Sequence, residues 1–187
     1  MPRTGRTIVD DARQGVPHGT PALERLLRPI DAASRQVARV AMLLAYLLMA
    51  VMVFEVVARY GLARPTIWAF DVSYMLNGSL FALGLAWTLR AGAHVRIDFL
   101  STQLPRRLQN GILAAVYGTL VLPAVGWLAL SAFRTALRAW RTGEVEAVSP
   151  WAPLMWPFYA VLAAGLIVLA LQLVAETLRH LTAAARG

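Results

Sequence analysis

Leu154 to Ala175 reads LMWPFYAVLAAGLIVLALQLVA, twenty-two consecutive residues without a charge. A helix rises 1.5 Å per residue, so about 20 residues cross a hydrocarbon core roughly 30 Å thick. The stretch is therefore a membrane-spanning helix by length and composition. Working outward, three more stretches qualify. Ile112 to Phe133 has 22 uncharged residues, Trp68 to Leu89 has 22 with only Asp71 charged, and Val40 to Val57 has 18 with Glu55 near its end. The chain reads as an all-α integral membrane protein with four transmembrane helices, spans 40–57, 68–89, 112–133 and 154–175. The first span starts too far from Met1, and lacks a convincing cleavage pattern after it, to be a signal peptide.

Composition agrees. Of 187 residues, 58% are hydrophobic and 15% charged, against about a quarter charged in soluble domains. An ordinary soluble enzyme and a disordered chain are both excluded. There is no cysteine, hence no disulfide, thiolate metal site or cysteine nucleophile. His18, His94 and His180 fall in the tail, a loop and the segment after the last span, which does not suit a bis-histidine haem. No phosphate-binding, zinc-protease or nucleophile-elbow motif occurs. The reading is no enzyme, no cofactor and no metal. The net charge of +8 would also suit nucleic acid, but the hydropathy assigns the arginines to a lipid bilayer instead.

Arginine placement orients the spans. With the N-terminus inside, 13 arginines lie inside and five, Arg59, Arg64, Arg134, Arg138 and Arg141, lie outside. The positive-inside rule then puts both termini in the cytoplasm. Residues 1–20 form a cytoplasmic tail, and 21–187 the membrane domain. Leu23, Leu26, Leu27 and Ile30 line one helical face, which predicts a short amphipathic helix resting on the inner surface, with Pro29 against a long straight helix. Asp98 is placed to cap a second short helix, 99–104. Pro123 predicts a kink near Thr119. Arg134, Arg138 and Arg141 recur at helical spacing, predicting a helix that leaves the bilayer and lies across its outer surface. Glu55 and Arg59 are spaced to pair at the outer edge.

Three polar residues enter the spans: Asp71 near the outer end, Asn77 near mid-membrane and Gln172. The expected use of Asn77 is a hydrogen bond between helices of this chain; the alternatives are a partner helix or a substrate route. A pump or channel would need more buried carboxylates or broken helices. Small residues recur at packing intervals: Gly78, Ala82 and Ala86; Gly111 with Ala115 and Ala114 with Gly118; Ala160 with Ala164. They predict close helix contacts.

After the second span comes Arg90-Ala-Gly92-Ala-His94-Val-Arg96-Ile-Asp98. This resembles the R-x-G-x-H-V-R-V-D motif of the small membrane subunit (DctQ-type) of tripartite ATP-independent periplasmic (TRAP) transporters. Arg59-Tyr60, Pro65 and Trp68 before it, and Gly143-Glu144 and Pro157 after it, are similar to further landmarks of that family, and the likeness runs from about Leu23 to Leu181. Where the family often has two acidic residues after the tryptophan, only Asp71 stands here. The resemblance implies a non-catalytic inner-membrane subunit that braces a large permease subunit during cation-coupled uptake of an organic acid. A periplasmic substrate-binding protein would deliver that acid. Arg90, Gly92, His94, Arg96 and Asp98 are then the residues that organise the inner loop. Trp68, Asp71, Arg134, Arg138, Arg141 and, more weakly, Glu144 are candidates for the face that meets the binding protein. The alternatives are a membrane anchor for an oxidoreductase and a lone sensor or scaffold.

Overall fold

The computed structural model describes residues 21–91 and 106–186. The tail 1–20, the loop residues Gly92, His94, Arg96 and Asp98, and the 99–104 segment lie outside the described residues. Among the described residues five α-helices follow in order: α1 (Pro21–Val56), continued by a π turn Val57–Gly61, α2 (Ala69–Arg90), α3 (Arg106–Val116), α4 (Leu122–Thr142) and α5 (Trp156–Arg186). Helices α3 and α4 are joined by a π turn, Tyr117–Val121, into one rod, so four rods are long and apolar enough to cross a membrane. Among the described residues the β pairing is a single isolated bridge, Val145 to Leu154.

Helix α1 departs from expectation. Its 36 residues run through Pro29 without a break, so no separate surface helix precedes the first span. The side that packs is the stripe Glu24, Leu27, Asp31 and Ser34; of the apolar face, Leu27 is buried, Leu23 and Ile30 are half-buried and Leu26 is exposed. At 36 residues α1 is about 54 Å long, well beyond the hydrocarbon core, and its first turns protrude to meet the far end of α5.

The rod α3–α4 shows what Pro123 does. A proline lacks the N–H that would bond the carbonyl of Thr119, four residues back, and its ring crowds that carbonyl. The π turn is centred on Thr119 and absorbs the mismatch, and the Thr119 hydroxyl donates to the Ala115 carbonyl at 2.6 Å. Beyond it, Arg134, Arg138 and Arg141 continue the same helix. No break separates a spanning part from a surface part. Helix α4 stops at Gly143, whose φ of +64° is the left-handed cap position that favours glycine.

The rods pack in the order α1, α2, α5, α3–α4. Helix α5 is the hub, touching α2 along its length, the α3–α4 rod on another side and the first turns of α1 near its C-terminus. Between membrane helices the gain is van der Waals contact, since lipid tails are as apolar as leucine. Close approach therefore decides the seams. A Cβ at Gly165 would lie 2.6 Å from the Ala82 carbonyl oxygen, and one at Gly78 would lie 2.9 Å from the Phe158 ring. The expected Gly78–Ala82–Ala86 stripe does face α5, with Ala82 and Ala86 buried. On α5 the contacting residue is Gly165; Ala164 is exposed. On the third span Ala114 is buried and Gly118 faces Thr177, while Ala115 is exposed. Leu89, Leu169 and Leu173 fill the junction with Ala86, backed by Tyr117, Val121 and Val125.

Candidate functional site

Both chain ends of the described domain lie at one end of the molecule, and the 59–67 and 143–155 connections at the other. The termini end carries the larger polar construction. Helix α1 brings Glu24, Asp31 and Ser34, spaced seven and three apart and so on one side. Helix α5 brings Gln172, Glu176 and Arg179, spaced four and three apart. Arg90 arrives from the last turn of α2. The Ser34 hydroxyl donates to Gln172 Oε1 at 2.9 Å, and Gln172 Nε2 donates to Glu176 Oε1 at 3.0 Å and to Asp31 Oδ1 at 3.4 Å. Arg179 sits at the centre. It donates to Glu176 Oε1 at 2.8 Å, to Asp31 Oδ2 at 2.9 Å, and to Glu24 through Nε at 3.2 Å and Nη2 at 3.3 Å. Arg90 Nε reaches Asp31 Oδ1 at 3.0 Å, and its guanidinium lies over the Trp87 ring at 5.5 Å.

Ser34, Gln172, Asp31, Glu176 and Arg179 are all 5% exposed or less. Three carboxylates and two guanidiniums thus share one cluster, buried at Asp31, Glu176 and Arg179 and partly exposed at Glu24 and Arg90, that ties three rods together. In a low-dielectric setting an unpaired member would be costly, and none of the described buried side-chain nitrogens or oxygens lacks a partner. Beside it, His180 Nδ1 meets Asn110 Oδ1 at 3.1 Å and its ring lies edge-on to Tyr117, which attaches α3 to the same end of α5.

Of this cluster, Gln172 and Arg90 are readable as candidates from the sequence. Glu24, Asp31, Ser34, Glu176 and Arg179 are not selected by hydrophobic periodicity. The signal that finds them is a pair of polar stripes, one on α1 and one on α5, each running along a single helix side.

The opposite end is held by local pins. Glu55 accepts from Arg59 Nε at 3.0 Å, from the Thr66 backbone N–H at 3.2 Å and from the Thr66 hydroxyl. The expected Glu55–Arg59 pair therefore forms and also closes the loop back on itself. Trp68 is half-buried and stacks on Phe54 at 5.8 Å. Asp71 is buried, and its carboxylate accepts from the Ser149 hydroxyl, which in turn accepts from the Trp151 N–H at 3.1 Å. Asp71 thus anchors the 143–155 loop on α2. Arg134, Arg138 and Arg141 are exposed, while Glu144 is half-buried. The Glu144 backbone is fixed by bonds to Ala139 at 3.1 Å and Met155 at 2.9 Å.

Asn77 behaves differently from the other polar residues of the spans. It is exposed, on the side of α2 that carries Phe70 and Phe81, and makes no interhelical bond with a described residue. The expected internal hydrogen bond is not among the bonds of the described residues. Among the described residues no group of three or more histidine, aspartate or glutamate side chains is arranged to hold a metal ion.

Compared with known proteins, residues 48–183 match the family model described as tripartite ATP-independent periplasmic transporters, DctQ component. No curated protein and no solved structure matches the chain.

Proposed function

Because the chain belongs to the DctQ family, the small permease component of TRAP transporters, we propose that it braces a large permease subunit during cation-coupled uptake of an organic acid. In this reading it performs no chemistry of its own. Substrate and coupling-ion sites lie on the large subunit, and a periplasmic binding protein supplies the substrate. Both termini lie in the cytoplasm of an inner-membrane protein, which puts the Arg179 cluster at the cytoplasmic end. The exposed Arg134, Arg138 and Arg141, with the half-buried Trp68 and Glu144, then belong to the periplasmic end. There they are available to a docking protein, and Arg90, Gly92, His94, Arg96 and Asp98 organise the cytoplasmic loop.

One observation carries the bracing role. Glu24, Asp31, Glu55, Asp71 and Glu176, the carboxylates of the described helices, are each bonded to a partner in this same chain. A cation pathway needs carboxylates or carbonyls open to an ion, and these are committed to holding helices. The test is co-purification: the tagged chain is expressed with its neighbouring genes and extracted in mild detergent. A large multi-span partner at equal stoichiometry is expected, with uptake lost when this chain is deleted. A chain that is recovered alone, or with a haem-bearing or soluble catalytic partner, overturns the reading.

A further inference from the structure

Helix α2 is flanked by α1 and α5, and Ser79, on the side away from Asn77, is buried. One stripe of α2 is left open. Phe70 is 81% exposed, Tyr74 57% (its ring against Phe158 of α5 at 5.4 Å) and Phe81 63%, and Asn77 lies between them at spacings of three and four. A Cβ at Gly84, one helical turn beyond Phe81, meets nothing within 4 Å. Asn77 lies eight residues into a 22-residue helix, about 12 Å from its start, deep in the hydrocarbon layer. A carboxamide there has two donors and an acceptor with no water to satisfy them. Snorkelling is no remedy, because the asparagine side chain is too short to reach either interface.

The other strongly polar side chains of the described spans avoid this position. Gln172 and Glu176 are buried in the Arg179 cluster, and Glu55 and Asp71 sit at the helix ends with partners. The hydroxyls of Thr88 and Thr119 donate to carbonyls of their own helices. Asn77 alone among the described carboxamides and charged groups is at mid-depth on an open face. A lipid tail offers it nothing, whereas a transmembrane helix with a polar side chain or an accessible carbonyl satisfies it, and flanking aromatic rings supply contact area around the bond.

We propose that the Phe70–Tyr74–Asn77–Phe81 stripe of α2 is the surface on which a transmembrane helix of the large permease subunit docks, with the Asn77 carboxamide hydrogen-bonded across the interface. This rests on the bracing role above and specifies which face performs it.

The native chain has no cysteine, so single-cysteine variants report contacts without background. Phe70→Cys, Asn77→Cys and Phe81→Cys are placed in the co-expressed complex and treated in membranes with a thiol-linked photo-crosslinker. Cross-links to the large subunit are expected from all three. In parallel, Asn77→Leu is compared with the native chain. The substitution removes no bond to a described residue of this chain, so the isolated subunit keeps its yield and thermal midpoint, while the complex dissociates about three- to tenfold more readily, the range for a single interhelical hydrogen bond in a membrane. Asn77→Gln, which keeps the carboxamide, recovers part of the loss. Cross-links that join two copies of this chain, or label lipid alone, overturn the proposal, as does an Asn77→Leu complex as tight as the native one. If the native chain brings down no large subunit at all, the bracing role itself falls and this surface with it.

Discussion

The two ends of the molecule are stabilised in different ways. At the termini end a single guanidinium, that of Arg179, collects carboxylates from two helices, and its partners on α1 lie 148 and 155 residues away in the chain. At the hairpin end the Glu55 pins close over four and 11 residues, and Asp71 holds one loop to the start of α2. The first arrangement sets how three helices sit relative to one another. The second sets where connections lie. The family match begins at residue 48, so Glu24, Asp31 and Ser34 fall outside the matched stretch while Gln172, Glu176 and Arg179 fall inside it. The cluster therefore joins the N-terminal extension of α1 to the matched domain.

The sharpest way to break this contrast is Arg179→Leu. It leaves Glu24, Asp31 and Glu176 without the guanidinium that all three share. Removing one partner from a buried ionic cluster costs about 3–5 kcal/mol, because the remaining charges are left uncompensated. We expect a large fall in folded yield and thermal midpoint in detergent, with the N-terminal part of α1 exposed to protease. A variant as stable as the native chain would show that the cluster does not hold α1 to α5. Combining Arg179→Leu with Asp31→Asn and Glu176→Gln should restore part of the loss, since a neutral set is cheaper to bury than an unpaired one.

Next in size is Gly165→Ala. The added methyl meets a backbone carbonyl at 2.6 Å, which cannot turn aside as a side chain does, so α2 and α5 must separate. Overpacking of this kind costs about 1–3 kcal/mol. Gly126→Ala, where nothing lies within 4 Å, is the matched control and should leave the midpoint unchanged. Equal effects at the two positions would remove the close seam from the account.

Much of this fold is legible in the sequence, for physical reasons. Span length and hydropathy follow from bilayer thickness, so Trp68–Leu89 anticipates α2 within a residue. Pro123 announces the turn at Thr119 because proline's missing N–H acts on a fixed carbonyl. Three features are less legible. Leu23, Leu26, Leu27 and Ile30 form the most apolar side of the first turns, yet beside the buried Leu27 the packed side is polar, because its partners are charged groups on a helix about 150 residues away. The small-residue pattern picks Ala160 and Ala164 where Gly165 makes the contact, since alanine is frequent on every side of these helices. Asn77 looks like internal glue because α2 is apolar nearly all round, and a sequence with no clear polar side does not tell which way a residue points. In each case the missing information is which helix lies opposite.

The hairpin end should respond weakly and locally. Asp71→Ala removes the acceptor of the Ser149 hydroxyl, and a hydrogen bond to a charged group is worth at most about 1.5–3 kcal/mol. The bridge between Val145 and Leu154 and the Met155–Glu144 backbone bond remain. Faster amide exchange at Trp151 and its neighbours is expected, with the termini end untouched. A loss of stability as large as that of Arg179→Leu would erase the difference between the two ends.

Glu55→Gln should be smaller still. Arg59 is half exposed, and exposed pairs of this spacing contribute little. The glutamine keeps an acceptor for the Thr66 N–H but loses the charge that strengthens both contacts. Exchange should quicken at Thr66 alone, with no shift in the thermal midpoint, because the Phe54–Trp68 stack still closes the hairpin. Were the midpoint to fall as well, the hairpin end would share in holding the helices together, and Trp68→Ala would then tell whether the stack or the carboxylate carries that share.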